Sequence, residues 1–313
     1  MLTRVQTGVM PVEKFQEDLR HICGVFSAEP VKGQDRIHGG VSMESRAGME
    51  MAHVAKNLQR IRRSGLDCRR DDAEHYFLII QEEGSALMAQ SDTAQMLNPG
   101  DMMLIDSAKP SEFTFFGHYG RQLSVHLPRT EMDKRFGYEI RTGMYLPRTD
   151  HTALALIAVL AKTFSPEITP DQDNYLREAM YGLLGVMLHE RQNRSGFSRM
   201  DSEIGGAQLL QRALAHIDSR YGNCELSIQQ IANDLHVSMR QLQRAFALLG
   251  STPTDYLLQK RLETACQLLI ERRLGRTDML VSTIAYQCGF NDISYFNRIF
   301  RRVFGCPPGQ YGD

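Results

Sequence analysis

The chain has 313 residues, 42% of them apolar and 23% charged, a soluble globular balance that excludes disorder, collagen and membrane classes and suits about two domains. Thirty-six Lys and Arg stand against 37 Asp and Glu, a net charge of -1. The charge is uneven: residues 207–313 hold 12 basic and 9 acidic side chains, residues 1–206 hold 24 and 28, and a mildly basic C-terminal third hints at a polyanion partner.

The first segment, Met1 to Arg20, carries Glu13, Lys14, Glu17 and Asp18 and no apolar core, so no secretory leader is expected. The longest apolar run, Ala153 to Ala161, is far short of a membrane span. The six cysteines (Cys23, Cys68, Cys224, Cys266, Cys288, Cys306) form no C-x-x-C pair. Neither a structural zinc site nor a disulfide framework is expected from them. They read as small buried hydrophobes in a reducing compartment, which makes the protein cytoplasmic.

Residues 22–128 read as short strands broken by turns: Val41–Ser45, Met49–Ala55, Leu58–Arg62, Tyr76–Gln81, Ala86–Gln90, Met102–Ile105, Glu112–Phe116 and Leu123–Leu127. That spacing predicts a sandwich or barrel. Asn98-Pro99-Gly100-Asp101 predicts a tight turn, with Pro99 presetting φ and Gly100 supplying positive φ. Tyr76-Phe77-Leu78-Ile79-Ile80 predicts a strand buried on both faces.

From about residue 131 the period becomes helical. Thr152–Phe164 repeats Leu154, Ile157, Ala158 and Ala161, and Asp173–Arg191 repeats Leu176, Met180, Leu183, Leu184 and Met187. These helices pack either on the barrel or on a second protomer. The polar, glycine-bearing stretch 192–206 reads as a linker between a domain at 1–191 and one at 207–313.

The last domain is predicted all-helical: Ala207–Arg220, Ile228–Leu235, Met239–Leu249, Thr254–Arg272, Thr283–Cys288 and Ile293–Phe304. It also repeats itself. Ile228-x-x-Ile231-Ala232 recurs as Val281-x-x-Ile284-Ala285. Leu242-x-Arg244-x-Phe246 recurs as Phe296-x-Arg298-x-Phe300, and Gly250, Pro253 and Tyr256 recur as Gly305, Pro308 and Tyr311. Each copy has the pattern of a helix-turn-helix.

In the first copy Ile228, Ile231, Ala232 and Leu235 form one apolar stripe, and Ser238 with Gln241 forms an S-x-x-Q capping box. Ser227 and Gln230 repeat that box one helix earlier. Leu242, Ala245, Phe246 and Leu249 then face inward, which leaves Met239, Arg240, Gln243 and Arg244 outward. In this motif the outward N-terminal face enters the major groove, where Arg pairs with guanine and Gln with adenine.

In the second copy Gly289 ends one helix and Asp292 caps the next. Phe296, Ile299, Phe300 and Val303 face the core, and Ile293, Ser294, Asn297 and Arg298 face out. Ser238, Arg301 and Arg302 are candidates for phosphate contacts, which position a protein without reading sequence. The helix Thr254–Arg272 is a spacer of about 28 Å that would hold the two reading helices roughly one turn of DNA, about 34 Å, apart. The competing reading is a plain helical bundle with a solvated polar face; two in-register copies with matching Arg and caps weigh against it.

An enzymatic barrel would need a His-x-His pair to hold a metal. His38, His53, His75, His118 and His126 form none, and the chain has neither a G-x-S-x-G elbow nor a phosphate loop. No catalytic residue, metal or cofactor is therefore expected. For a binding role the barrel interior is the natural pocket. His53, Arg60 and Arg62 lie on strand candidates, and Tyr76 offers a ring for stacking. The rival reading makes Arg60 and Arg62 outward, solvated strand residues. Alternation alone does not decide between the faces.

At these residues the chain closely resembles the AraC/XylS family of bacterial transcription regulators. The matching string is Ile231-Ala232, Ser238, Leu242-x-Arg244-x-Phe246, Gly250-x-x-Pro253-x-x-Tyr256-Leu257, Arg261-Leu262-x-x-Ala265-x-x-Leu268-Leu269. It continues as Ile284-Ala285-x-x-x-Gly289-Phe290-x-Asp292-x-Ser294-Tyr295-Phe296-x-Arg298-x-Phe300 and Gly305-x-x-Pro308. The N-terminal part resembles the cupin-like sensor domain of XylS-like and FeaR-like members at Asp72-Ala73-Glu74-His75-Tyr76-Phe77, Asn98-Pro99-Gly100-Asp101-Met102, Asp106, Pro110 and Leu127-Pro128-Arg129. It departs at Ser91-Asp92-Thr93-Ala94, where relatives usually carry a Gly-containing hairpin.

The resemblance implies an α+β two-domain protein: a cupin-like β-barrel with appended helices, then an all-α domain with two helix-turn-helix motifs. It implies a regulator that binds double-stranded DNA, responds to a small aromatic or carboxylic effector, and activates a catabolic or stress operon with RNA polymerase as partner. A homodimer is expected. By position, Arg240, Gln243 and Arg244 would read bases in one groove and Asp292 to Arg298 would lie at the second. The alternative of another class is a DNA-binding protein whose N-terminal domain only oligomerises.

Overall fold

A computed structural model describes residues 7–71, 74–91, 93–137, 140, 142–166, 168–193 and 201–311. Asp72 and Ala73 of the sensor-like string, Asp92 of the departing hairpin and residues 194–200 of the expected linker lie outside the described residues. The chain divides into two compact units, Met1–Ile204 and Gly205–Asp313.

The first unit runs β1 (Gly8–Pro11), α1 (Val12–Cys23), β2 (Ser27–Glu29), β3 (Arg36–Arg46), β4 (Met49–Lys56), β5 (Arg60–Arg63) and α2 (Gly65–Arg69). It continues with β6 (His75–Glu83), β7 (Ala86–Gln90), β8 (Thr93–Leu97), β9 (Met102–Asp106), β10 (Ser111–Thr114) and β11 (Gly120–Pro128). Then follow α3 (Arg129–Phe136), β12 (Met144–Leu146), α4 (His151–Thr163) and α5 (Pro170–Asn193). The strands form a 7-stranded sheet, β1-β3-β4-β11-β6-β9-β12, and a 5-stranded sheet, β2-β5-β10-β7-β8.

Strand alternation sorts the side chains into two cores. Phe77 and Ile79 of β6 join Val54, Met103 and Ile105 against Ile61, Met88, Leu97 and Phe113 of the smaller sheet, closed by Val12, Phe15 and Leu19 of α1. That is the barrel interior. Tyr76, Leu78 and Ile80 point the other way, with Met49, Met51, Leu123, Val125 and Leu127. They meet Met132, Leu156, Leu160, Met180, Leu184 and Met187 of α3, α4 and α5. The run Tyr76–Ile80 is thus buried on both faces, as its apolarity predicts, and the appended helices pack on the barrel of their own chain.

Several local expectations change. In α4 the buried stripe is Ala153, Leu156 and Leu160, while Leu154 stands half exposed. The run is apolar nearly all round, so its period does not set its phase. The β7–β8 hairpin pairs Gln90 with Thr93. Ser91 takes φ +53 there, the left-handed role usually given to Gly or Asn. At Asn98–Asp101 the predicted turn forms: Asp101 N donates to Asn98 O at 2.9 Å and Gly100 has φ +92.

The second unit contains α6 (Asp201–Arg220), α7 (Ile228–Asp234), α8 (Met239–Ala247), α9 (Pro253–Arg273), α10 (Val281–Gln287) and α11 (Ile293–Phe304), closed by a 3-10 turn, Pro308–Gln310. Of the expected linker 192–206, residues 192–193 end α5 and 201–206 begin α6. The core of the second repeat holds Leu262, Ala265, Leu269, Ile284, Ala285, Phe290, Phe296, Ile299 and Phe300. Val303, expected inward, is exposed; Phe304 packs there instead. All six cysteines are free, and only Cys266 and Cys288 are fully buried.

Candidate nucleic-acid interface and barrel cavity

The first repeat turns sharply between α7 and α8. Val237 N donates to Ala232 O at 3.0 Å, and His236 takes φ +56. Ser238 and Gln241 close the capping box: Gln241 N donates to Ser238 Oγ at 3.2 Å, and Ser238 N to Gln241 Oε1 at 2.9 Å. The Gln241 side chain is thereby committed to the backbone. Ser227 accepts from Gln230 N at 3.2 Å, without the expected reciprocal bond from Gln230.

Leu242, Ala245 and Phe246 are buried, so the helical period forces Arg240, Gln243 and Arg244 to the exposed side; Met239 is half-buried. Among the described residues, none of the Arg240, Gln243 and Arg244 side chains makes a hydrogen bond or ion pair.

In the second repeat, Asp292 caps α11 by accepting from Ser294 N at 2.7 Å and Tyr295 N at 3.0 Å. Ser294, Asn297, Arg298, Arg301 and Arg302 are exposed. Ile293 is half-buried and packs on the repeat's core, so it offers less outward surface than expected. The Arg298 guanidinium lies 5.7 Å from the Tyr295 ring centroid. Tyr295, inside the Asp292 to Arg298 span expected at the second groove, and Tyr286, which sequence reasoning did not single out, are large exposed side chains. The spacer α9 has 21 residues, about 31 Å at 1.5 Å per residue.

The barrel interior holds a cavity of about 50 Å³, lined by Leu19, Cys23, Phe26, Val54, Ile61, Phe77, Ile79, Ile105, Phe113, Gln122 and Ser124. Strand β11 turns Gln122, Ser124 and His126 inward, all buried. Behind Gln122 sits Lys56, fully buried; its Nζ donates to Gln122 Oε1 at 2.8 Å and lies 4.1 Å from the Phe115 ring centroid. Gln122 Nε2 donates to Gln81 Oε1 at 2.8 Å.

Burial drives the Lys56 amine well below the usual lysine range, because low-dielectric surroundings penalise the charged form. Burial raises the Cys23 thiol to about 12, and burial with the neighbouring His75 lowers His126 to about 4. The Cys23 Sγ lies 4.0 Å from His126 Nε2.

The four side chains expected to bind a ligand do not line this cavity. His53 is on the outer face, its Nε2 2.7 Å from Glu44 Oε1 and its ring edge-on to Phe164. Tyr76 is also on the outer face, its hydroxyl accepting from Arg129 Nη1 at 2.9 Å. Arg60 bonds Glu29, and Arg62 is half exposed beside the same carboxylate. The register explains all four: Ile61 takes the inward position on β5, and the outward positions on β4 and β6 are covered by helices. Sequence reasoning weighed His126 only as a metal ligand and did not single out Lys56, Gln81, Gln122 or Ser124; the signal for the last two with His126 was the alternation Gln122-x-Ser124-x-His126 on one strand.

Two domain families match the chain: a helix-turn-helix domain over residues 231–313 and an AraC-binding-like domain over residues 20–240. The transcriptional activator NphR of Rhodococcus sp is 25% identical over 266 residues, covering 84% of this chain and 77% of that protein. The transcriptional activator RhrA of Rhizobium meliloti is 35% identical over 94 residues, 30% of this chain and 29% of its own length. The AraC-like transcriptional activator CuxR matches as a structure over 90% of this chain and 100% of that one, at 13% identity and a TM-score of 0.47.

Proposed function

The chain belongs to the AraC/XylS family of transcription regulators, and from that membership we propose that it binds operator DNA sequence-specifically through both helix-turn-helix motifs and responds to a small molecule held in the barrel. The carrying observation is the pair of capped helices whose exposed faces present Arg240, Gln243 and Arg244 in one repeat and Ser294, Asn297 and Arg298 in the other. Exposed polar side chains at the N-terminal ends of such helices suit base edges in successive major grooves. Met239 and Ile293 supply apolar contact at the margins. Ser238, Arg301 and Arg302 hold phosphates.

The apolar cavity favours a sensor over a barrel that only oligomerises. The protein acts as a cytoplasmic activator with RNA polymerase as partner, in keeping with its similarity to the transcriptional activator NphR. Homodimerisation uses the outer surface of α4 and α5, where Leu154, Tyr175 and Val186 are exposed.

The test is operator footprinting and titration with Arg244→Ala. Loss of one bidentate base contact weakens binding by roughly 1–3 kcal/mol and relaxes choice at one base pair. An unchanged footprint and affinity would remove Arg244 from the reading face. Residues 205–313 alone should bind DNA with an affinity that drops steeply as salt rises.

A further inference from the structure

We infer that the barrel cavity selects an uncharged, largely apolar small molecule carrying one hydroxyl or carbonyl group, which bonds to Ser124. The inference rests on the sensor reading above and names the chemistry of that site.

Charge is the first criterion. No Lys, Arg, Asp or Glu lines the cavity; its walls are Phe, Ile, Leu and Val with Cys23, Gln122 and Ser124. Two cationic side-chain types are buried close by: Lys56 lies behind Gln122, held by the Gln122 oxygen and the Phe115 ring, and Arg63 lies over Phe26, held by Ser107 O, Val25 O and the Asp71 carboxylate. Burial holds the Lys56 amine well below the usual lysine range, and the same loss of hydration penalises a ligand carboxylate. An anion entering here would lose its water and meet no cation in the wall.

The second criterion is the hydrogen-bonding inventory. Gln122 is occupied at both ends, its oxygen by Lys56 and its nitrogen by Gln81. Ser124 is different. It is 5% exposed, lines the cavity, and among the described residues its hydroxyl makes no hydrogen bond. A wall hydroxyl that no protein side chain holds is free to bond a ligand hydroxyl or carbonyl.

Size adds a constraint. The cavity measures about 50 Å³, below the roughly 150 Å³ that takes a benzene ring. A ring therefore enters by displacing a wall. The wall outside the sheet ladders is α1, which contributes Leu19 and Cys23, and Phe26 just beyond it.

The experiment is calorimetric titration of the full chain with two matched pairs, phenol against benzoate and butan-1-ol against butyrate. The neutral member of at least one pair is expected to bind tenfold or more tightly than its carboxylate. Ser124→Ala should weaken that binding about two- to tenfold, the value of one net hydrogen bond, with circular dichroism and operator affinity unchanged. Preferential binding of a carboxylate overturns the inference and leaves the sensor reading standing. Binding of neither class, with operator binding intact, overturns both. Full affinity in a folded Ser124→Ala overturns the role of Ser124, and the matched pairs test the charge rule even if that variant fails to fold.

Discussion

Lys56→Met exposes the energetics of the barrel interior through its pH dependence. The side chain is fully buried, bonded to Gln122 Oε1 at 2.8 Å, and its amine sits well below the ordinary lysine range because of burial. In the unfolded chain the same amine titrates near 10.4. Below that pH the unfolded state binds a proton that the native state refuses. The cost to folding then grows by about 1.4 kcal/mol for each pH unit until the native amine protonates. Methionine has similar length, carries no charge, and forfeits one hydrogen bond of about 1 kcal/mol. The variant should therefore be less stable than wild type above about pH 10.5 and should gain on it progressively as pH falls below the unfolded-state titration. Urea unfolding of the barrel-bearing unit across pH 8 to 10.5, followed by circular dichroism, measures the difference. Parallel stability profiles for the two proteins would refute the reasoning, because they would mean that Lys56 keeps its proton when folded.

Two further outcomes follow from named contacts. Ser238→Ala removes the oxygen that accepts from Gln241 N, which costs about 1 kcal/mol. The melting temperature of residues 205–313 should fall by roughly 4–8 °C; an unchanged melt would show that the capping box contributes nothing. His126, lowered to about 4, binds its proton in the unfolded chain from about pH 6.5 downward but not in the native one, so stability is lost as pH falls through that window. Between pH 7 and 4.5 this contributes about 2.5 kcal/mol of acid destabilisation. His126→Gln should remove that part of the slope in urea unfolding, and equal slopes would show a solvated imidazole.

The helical unit was legible almost residue by residue because caps and period act locally. The sequence predicts Ile293–Phe304, and α11 has those bounds; Asp292 supplies the cap and buried Phe296, Ile299 and Phe300 the phase. Elements defined by distant partners were not legible. Strands β1, β2 and β12 have three or four residues each, too short for alternation to register, and they exist because β3, β5 and β9 offer edges. Helix α1 was also passed over; it buries only Val12, Phe15 and Leu19, a thin stripe whose meaning depends on the barrel it closes. Strand β8 was hidden by a hairpin that uses Ser91 rather than glycine at positive φ.

The two halves of the candidate site differ for the same physical reason. A helix lying on a core has one buried face, so locating Leu242, Ala245 and Phe246 also locates Arg240, Gln243 and Arg244. A strand in this barrel has two buried faces, one toward the cavity and one beneath α3, α4 and α5. Leu123, Val125 and Leu127 look like an interior face but lie under the helices. Gln122, Ser124 and His126 look like a solvent face but are buried inward. What separates them from a solvated strand is the kind of polarity: an amide, a hydroxyl and an imidazole, with no full charge among them. The fully buried lysine of β4 donating to Gln122 extends the same pattern to a second strand. In a covered barrel, alternating neutral polar residues opposite an apolar row mark the side that faces the cavity, since only groups able to trade hydrogen bonds with each other or with a ligand survive there without water.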